Sequence, residues 1–272
     1  VDYFKVSLTK GDNLSFGTPN SNVVAQVMSP SGERVGVTES ISWAYPASSP
    51  VIHTGANGYT FTAEEKGDHF IVLRGGFPVL NSFAYDLYVK KDLPSSAYME
   101  SDARQIVFLD FDGATLNGMI FNGINEEVTL NPLSEYLADF GLTLNDESDL
   151  IQLIIEKFTN QFDQMIQSQD NPENYSLIIR NSLEHEDTFG EPNVSRIIIG
   201  GSTEELKLVT IGIAQSIDPG NYNKEETGIV LLDILSGDLP DSSLRNIDSD
   251  ATTIELVATA LANIAAHELG HL

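Results

Sequence analysis

The sequence predicts two domains in series, an all-β sandwich followed by an α/β domain of five strands and two helices. Three observations carry that prediction. At 272 residues the chain has room for about two cores, given roughly 150 residues per domain. Residues 1–92 read as short β-rich runs punctuated by turn residues, the pattern of an antiparallel sandwich. From residue 104 onward strand-like runs are interleaved with stretches of helical period, as in a sheet covered by helices.

In the first domain Phe4, Val6 and Leu8 alternate with polar neighbours, and β-rich runs follow at 23–28, 59–62, 69–73 and 83–89. Lys10-Gly11-Asp12, Ser29-Pro30-Ser31-Gly32, Ala56-Asn57-Gly58 and Lys66-Gly67-Asp68 supply the turns between them. His53 and His69 read as surface or edge residues. A polar linker over 93–103 leads to the second domain, 104–272, which opens on the apolar strand Ile106-Val107-Phe108-Leu109. A helix is predicted over 146–169, where Ile151, Ile154, Ile155, Phe158, Phe162, Met165 and Ile166 share one face. Four strand-like runs come next, at 175–179, 196–199, 209–217 and 228–232, each bounded by Gly, Pro, Asn or Asp. The last helix starts near Asp250, with Thr252 and Glu255 at capping-box spacing. Its apolar positions Leu256, Val257, Leu261, Ile264 and Leu269 carry it to the end of the chain.

Composition narrows the partners. The formal charge is −26, which repels nucleic acid and anionic membrane surfaces. The imbalance sits in the second domain, where residues 101–272 hold 7 basic and 30 acidic side chains. Bound calcium or a saline setting would relieve that repulsion. With 0 cysteines, a disulfide scaffold, a Cys-ligated zinc site and a thiol nucleophile are all excluded. No apolar run reaches the 18 or so residues that a membrane-spanning helix needs, so no membrane insertion is expected. No Gly-x-Ser-x-Gly turn announces a serine nucleophile.

The strongest chemical signal is His267-Glu268-Leu269-Gly270-His271 at the end of the last helix. Residues four apart share a helix face, so His267 and His271 can bind one metal ion through their imidazoles. Glu268, beside the first ligand, is then placed to take a proton from water next to that metal. Hydrolysis of a peptide bond is the chemistry this pattern supports. The uncharged flanks Ile264, Ala265, Ala266, Leu269 and Leu272 would leave such a site half-buried.

Two resemblances add to this. The pieces Val1-Asp2-Tyr3-Phe4, Ser29-Pro30-Ser31-Gly32, Gly67-Asp68-His69-Phe70-Ile71-Val72 and Tyr85-Asp86-Leu87-Tyr88-Val89 resemble the bacterial pre-peptidase C-terminal domain, a small β-sandwich attached to secreted peptidases. His267-Glu268-Leu269-Gly270-His271 is similar to the zinc helix of the metzincin peptidases, in a matrixin-like form. That resemblance implies a zincin-like catalytic domain with a five-stranded mixed sheet, whose fourth strand is an antiparallel edge that pairs with substrate. Gly212-Ile213-Ala214 resembles that fourth strand and Thr227-Gly228-Ile229-Val230-Leu231-Leu232-Asp233 the fifth. It further implies a secreted zinc endopeptidase acting on proteins or peptides. His267 and His271 would be metal ligands, Glu268 the catalytic base, and Gly212, Ile213 and Ala214 substrate-binding residues. The family's third His would stand at the fifth position after Leu272, with a Met-containing turn further on. The chain is therefore expected to stop inside the catalytic domain.

Other motifs point elsewhere. Ile106-Val107-Phe108-Leu109-Asp110-Phe111-Asp112-Gly113 resembles the first motif of haloacid dehalogenase-like phosphohydrolases, which implies Mg²⁺ and a nucleophilic Asp110 with Asp112 beside it. The plainer reading is a strand ending in a polar turn. A third alternative is a secreted binding protein with no catalysis. His185, within Glu184-His185-Glu186-Asp187, reads as part of a solvated loop. Asp218, Asp233, Asp238, Asp241 and Asp248 are oxygen donors of the kind calcium takes, with no fixed spacing among them.

Overall fold

In a computed structural model of the chain, the described residues are 1–18, 23–37, 57–63, 65–75, 84–92, 104–123, 125–167, 176–218, 223–237, 244, 247 and 251–272. The content is mixed α/β. The chain divides into two compact units, Val1–Ser101 with Ile217–Asn223, and Asp102–Ser216 with Lys224–Leu272.

The first unit holds β1 (Asp2–Leu8), β2 (Asn13–Thr18), β3 (Val23–Met28), β4 (Arg34–Val37), β5 (Asn57–Thr62), β6 (Gly67–Gly75) and β7 (Tyr88–Asp92). They form two antiparallel sheets, ordered β1-β6-β3-β4 and β5-β2-β7. Alternate residues of both sheets meet in one core: Leu8, Val23, Ala25, Val27, Ile71 and Leu73 from one, Leu14 and Phe16 from the other. That alternation corrects the reading of His69. It lies in phase with Ile71 and Leu73 and is fully buried, with Nδ1 3.3 Å from the Gly67 carbonyl oxygen. His53 lies outside the described residues.

The predicted strand at 83–89 is shorter in the structure, because residues 84–87 carry no strand and β7 begins at Tyr88. β2 and β4 escaped the sequence reading. Every residue of β2 is buried, the polar Asn13, Ser15 and Thr18 included. A central strand covered on both faces has no need of an apolar–polar contrast.

At the start of β2, Asp12 is buried and accepts from the Lys91 ammonium at 2.7 Å and from the Thr9 N–H at 2.8 Å. The Lys91 ammonium, and after it the Thr9 N–H, hold the Asp12 carboxyl below its ordinary value. A carboxyl depressed in the folded state contributes stability above its unfolded pKa of about 3.9 and loses it as pH falls through the folded value. Lys91→Met is therefore expected to move acid unfolding to higher pH. Thermal melts between pH 7 and 2 test this, and an unchanged acid limb would remove Asp12 from the account.

The second unit contains β8 (Arg104–Asp110), β9 (Ala114–Asn117), α1 (Met119–Asn122), β10 (Glu127–Leu130), α2 (Glu147–Gln167), β11 (Ser176–Asn181), β12 (Val194–Ile199), α3 (Thr203–Leu206), β13 (Gly212–Ala214), β14 (Thr227–Val230), α4 (Asp233–Ser236) and α5 (Thr253–Leu269). Five strands make a mixed sheet in the order β11-β8-β12-β14-β13. The first four in that order are parallel, and β13 closes one edge antiparallel to β14. β9 and β10 pair as a separate antiparallel hairpin.

Alternation along the strands assigns the two faces of this sheet. Val107, Leu109, Ile197, Ile199 and Val230 turn to one side and pack with α2 and α5 through Leu150, Ile151, Ile154, Phe158, Val257, Leu261 and Ala265. Ile198, Ile229 and Leu231 turn to the other side and pack with Leu116, Val128 and Leu130 of the hairpin and with Leu206. Of the face predicted for α2, Ile151, Ile154 and Phe158 are buried and Ile155 and Phe162 are partly buried against the same core, with fully buried Leu150 as an addition; the Met165 side chain lies outside those described. Thr252 caps α5 in the predicted capping box, its side chain accepting from the Glu255 N–H. Ala258, Ala262 and Ala265 are the small buried residues that let α5 approach its neighbours closely.

Two boundaries differ from expectation. The run at 209–217 yields a strand of only Gly212–Ala214, because its partner β14 ends at Val230 and Val209 is 85% exposed. Single backbone bonds, Gln215 N–H to the Thr227 carbonyl and Leu231 N–H to the Ile211 carbonyl, extend the pairing at each side. α5 ends at Leu269, so His271 sits in a turn beyond it, its N–H bonded to the Glu268 carbonyl three residues back. Gly270 at that point is a poor helix former, about 1 kcal/mol worse than Ala. Among the described residues, no helix is long and apolar enough to cross a membrane.

Candidate functional site

His267 lies in the last turn of α5 and His271 in the turn that follows, which keeps right-handed helical backbone at Gly270. The two side chains consequently stay on one face. Their Nε2 atoms are 3.1 Å apart, and the rings meet edge to face with centroids 4.7 Å apart. Two imidazole nitrogens that share a tetrahedral zinc at about 2.0–2.1 Å are separated by about 3.3 Å. The pair thus fits the first two ligand positions of such an ion. His267 is exposed and His271 half-buried, so the nitrogens are reachable from solvent. Among the described residues, no group of three His, Asp or Glu side chains is placed to hold a metal ion.

Glu268, one residue on and so about 100° further round the helix than His267, lies beside that face against the sheet edge at Gly212. It is 5% exposed, and burial pushes its carboxyl up to about 7. What makes room for it is the absence of side chains on the sheet edge. A Cβ on Gly212 of β13 would collide with Glu268 Oε1 and with Ile264 Cγ2, and a Cβ on Gly228 of β14 would lie 3.3 Å from Glu268 Cβ and 2.7 Å from Ile197 Cδ1. The two glycines hold the acidic side chain between the helix and the edge strand. Sequence reasoning assigned Gly212 to substrate and gave Gly228 no role beyond its strand. The signal was present, since a Gly inside a strand pattern marks close backbone approach.

The edge strand has its own directionality. The bonds at Ile211–Leu231 and Gln215–Thr227 mark those pairs as hydrogen-bonded, and the antiparallel alternation makes Ile213–Ile229 the next such pair. Ile213 therefore spends its N–H and C=O on β14 and packs its side chain with the hairpin-side cluster. Gly212 and Ala214 point their backbone groups away from the sheet. Those of Gly212 are met by the Thr210 hydroxyl, which accepts from its N–H and donates to its carbonyl.

The remaining candidates are dispersed. Asp110 ends β8 and Asp112 follows it, far along the sheet order from the β13 edge. His185 belongs to a turn held by Asn181, whose Oδ1 accepts from the Leu183 and Glu184 N–H groups. Asp233 is occupied by Thr203, accepting from both its N–H and its hydroxyl. Asp218 Oδ2 accepts from the Asn223 N–H. Asp238, Asp241 and Asp248 lie outside the described residues. Compared with known proteins, the chain matches no family model and no curated sequence.

Proposed function

We propose that this chain carries the metal-binding helix and the substrate edge of a secreted metzincin-type zinc endopeptidase. The observation that carries the reading is the convergence of His267 and His271 Nε2 at 3.1 Å on the face of α5. The order of the mixed sheet, with its antiparallel edge strand at β13, supports it. Zinc bound there would supply Lewis acidity toward a peptide carbonyl and acidify a water molecule.

The chain's own residues do the rest. Glu268, held beside the edge by Gly212 and Gly228, accepts the proton of the attacking water and returns it to the leaving amine. An extended peptide adds to the free side of β13 and bonds the outward N–H and C=O of Ala214, since Thr210 already engages those of Gly212. Main-chain recognition of this kind holds many sequences. The N-terminal sandwich is read as a domain of the pre-peptidase C-terminal kind, consistent with export.

Zinc content and hydrolysis of an unstructured protein such as casein, measured on the intact protein, test the reading together. His267→Ala and His271→Ala are each expected to lose stoichiometric zinc and activity while keeping the melting temperature of the zinc-free protein. Unchanged zinc content in both variants would overturn the assignment.

A further inference from the structure

The turn after β8 gathers charge that α5 does not use. Asp110 ends β8 on the side opposite Val107 and Leu109, and Asp112 stands in the bend two residues on. That side is the hairpin face of the sheet, away from α2 and α5. Asp110 is 2% exposed, whereas Asp112 reaches solvent. The two carboxyl groups lie within hydrogen-bonding reach of each other. From β12, Arg196 brings Nη1 to 3.8 Å from Asp110 Oδ2 and 4.0 Å from Asp187 Oδ2. Its guanidinium carbon is 4.2 Å from the centroid of the Phe189 ring. At those distances Arg196 offers charge but no hydrogen bond to either carboxylate.

Three polar atoms here are buried and, among the described residues, have no hydrogen-bonding partner: Asp110 Oδ1, Arg196 Nε and Thr188 Oγ1. A buried carboxylate oxygen left in this state is costly. Three carboxylates against one guanidinium leave a formal charge of −2 around it. Two carboxylates in contact need a proton or a cation between them. In the absence of a cation the proton takes that place: burial, then the neighbouring Asp112, push Asp110 up to about 8.

We propose that Asp110 Oδ1 and the Asp112 carboxylate hold a divalent cation of the calcium class, beneath the loop that carries Asp187, Thr188 and Phe189. An all-oxygen donor set excludes the soft metals. Only two carboxylates and an irregular loop are available, which suits the flexible coordination of Ca²⁺ over the strict octahedron of Mg²⁺. Because no third acidic side chain joins the pair among the described residues, the affinity falls in the weak range of extracellular calcium modules, about 10⁻⁴ to 10⁻³ M. The inference makes no use of the zinc helix, so the two readings stand or fall separately.

The test titrates CaCl2 into the intact protein, stripped of metal and resupplied with one equivalent of zinc, at constant ionic strength. The readouts are melting temperature and calorimetric heat. A saturable rise in melting temperature is expected with CaCl2 and a smaller one with MgCl2. Asp112→Asn is expected to weaken the calcium response about tenfold or more, and Asp110→Asn to do the same. A control variant on the exposed side of α2, Asp163→Asn, should respond like the wild type. Should Asp110→Asn fail to fold, the surface position of Asp112 leaves its variant to decide. A wild-type protein indifferent to calcium, or an Asp112→Asn protein that responds as the wild type does, would overturn the proposal.

Discussion

Glu268→Gln is expected to lower kcat/KM for peptide hydrolysis by about a thousandfold, roughly 4 kcal/mol of transition-state stabilisation, while zinc stays bound. The Glu268 carboxylate is buried between α5 and the β13 edge at Gly212, where the proposed function needs a proton acceptor. Glutamine keeps its size and shape, so the packing against Gly212, Gly228 and Ile264 survives and the melting temperature should stay within a few degrees. Neither imidazole is altered, so zinc stoichiometry should match the wild type. Steady-state assays with a quenched peptide, run beside metal analysis, check both halves. Activity within tenfold of the wild type would assign the proton transfer to another group.

Phe158→Ala should instead act on the frame. Phe158 is fully buried in α2, its ring 4.9 Å from that of Phe162, in the cluster that joins α2, α5 and the sheet. Removing a buried phenyl ring costs about 3–5 kcal/mol through lost burial and the cavity left behind. In a unit of this size that corresponds to a fall of roughly 10 °C in melting temperature. α5 leans on α2 along this face and through the Gln161–Asn263 bond at 2.6 Å, so its last turn loses support as well. Zinc affinity is expected to fall less than stability, since His267 and His271 lie past that contact. A melting temperature within about 2 °C of the wild type would place Phe158 outside the core.

Much of the frame is legible from periodicity. The helical repeat from Ile151 to Phe162 and the capping pair Thr252 and Glu255 announce α2 and α5 to within a few residues. β3, β6, β8, β12 and β14 announce themselves as β-rich or apolar runs. Elements that rely on partners are not legible in this way. β2 is central, buried on both faces and rich in polar residues, so its sequence shows little contrast. The hairpin of β9 and β10 buries only Leu116, Val128 and Leu130 among exposed neighbours. The run at 209–217 is apolar enough for nine residues of strand, yet pairing with a four-residue partner limits it to three.

The sequence by itself determined the chemistry-bearing types and their spacing. Two His four apart on a helix must share a face, because 3.6 residues make a turn, and Glu268 beside the first must then point elsewhere. Tertiary structure decided where elsewhere is. Only the packing of α5 against Gly212 of the edge strand β13 and Gly228 of its neighbour β14 turns Glu268 into a buried carboxyl at the sheet margin. Strand order is likewise beyond the reach of local pattern, since β8 lies between β11 and β12, and β14 between β12 and β13, through non-local pairing. The charged turn after β8 follows the same rule. Asp110 and Asp112 are visible in the sequence, but Arg196 reaches Asp110, with Asp187 on its other side, only when parallel pairing aligns β8 with β12.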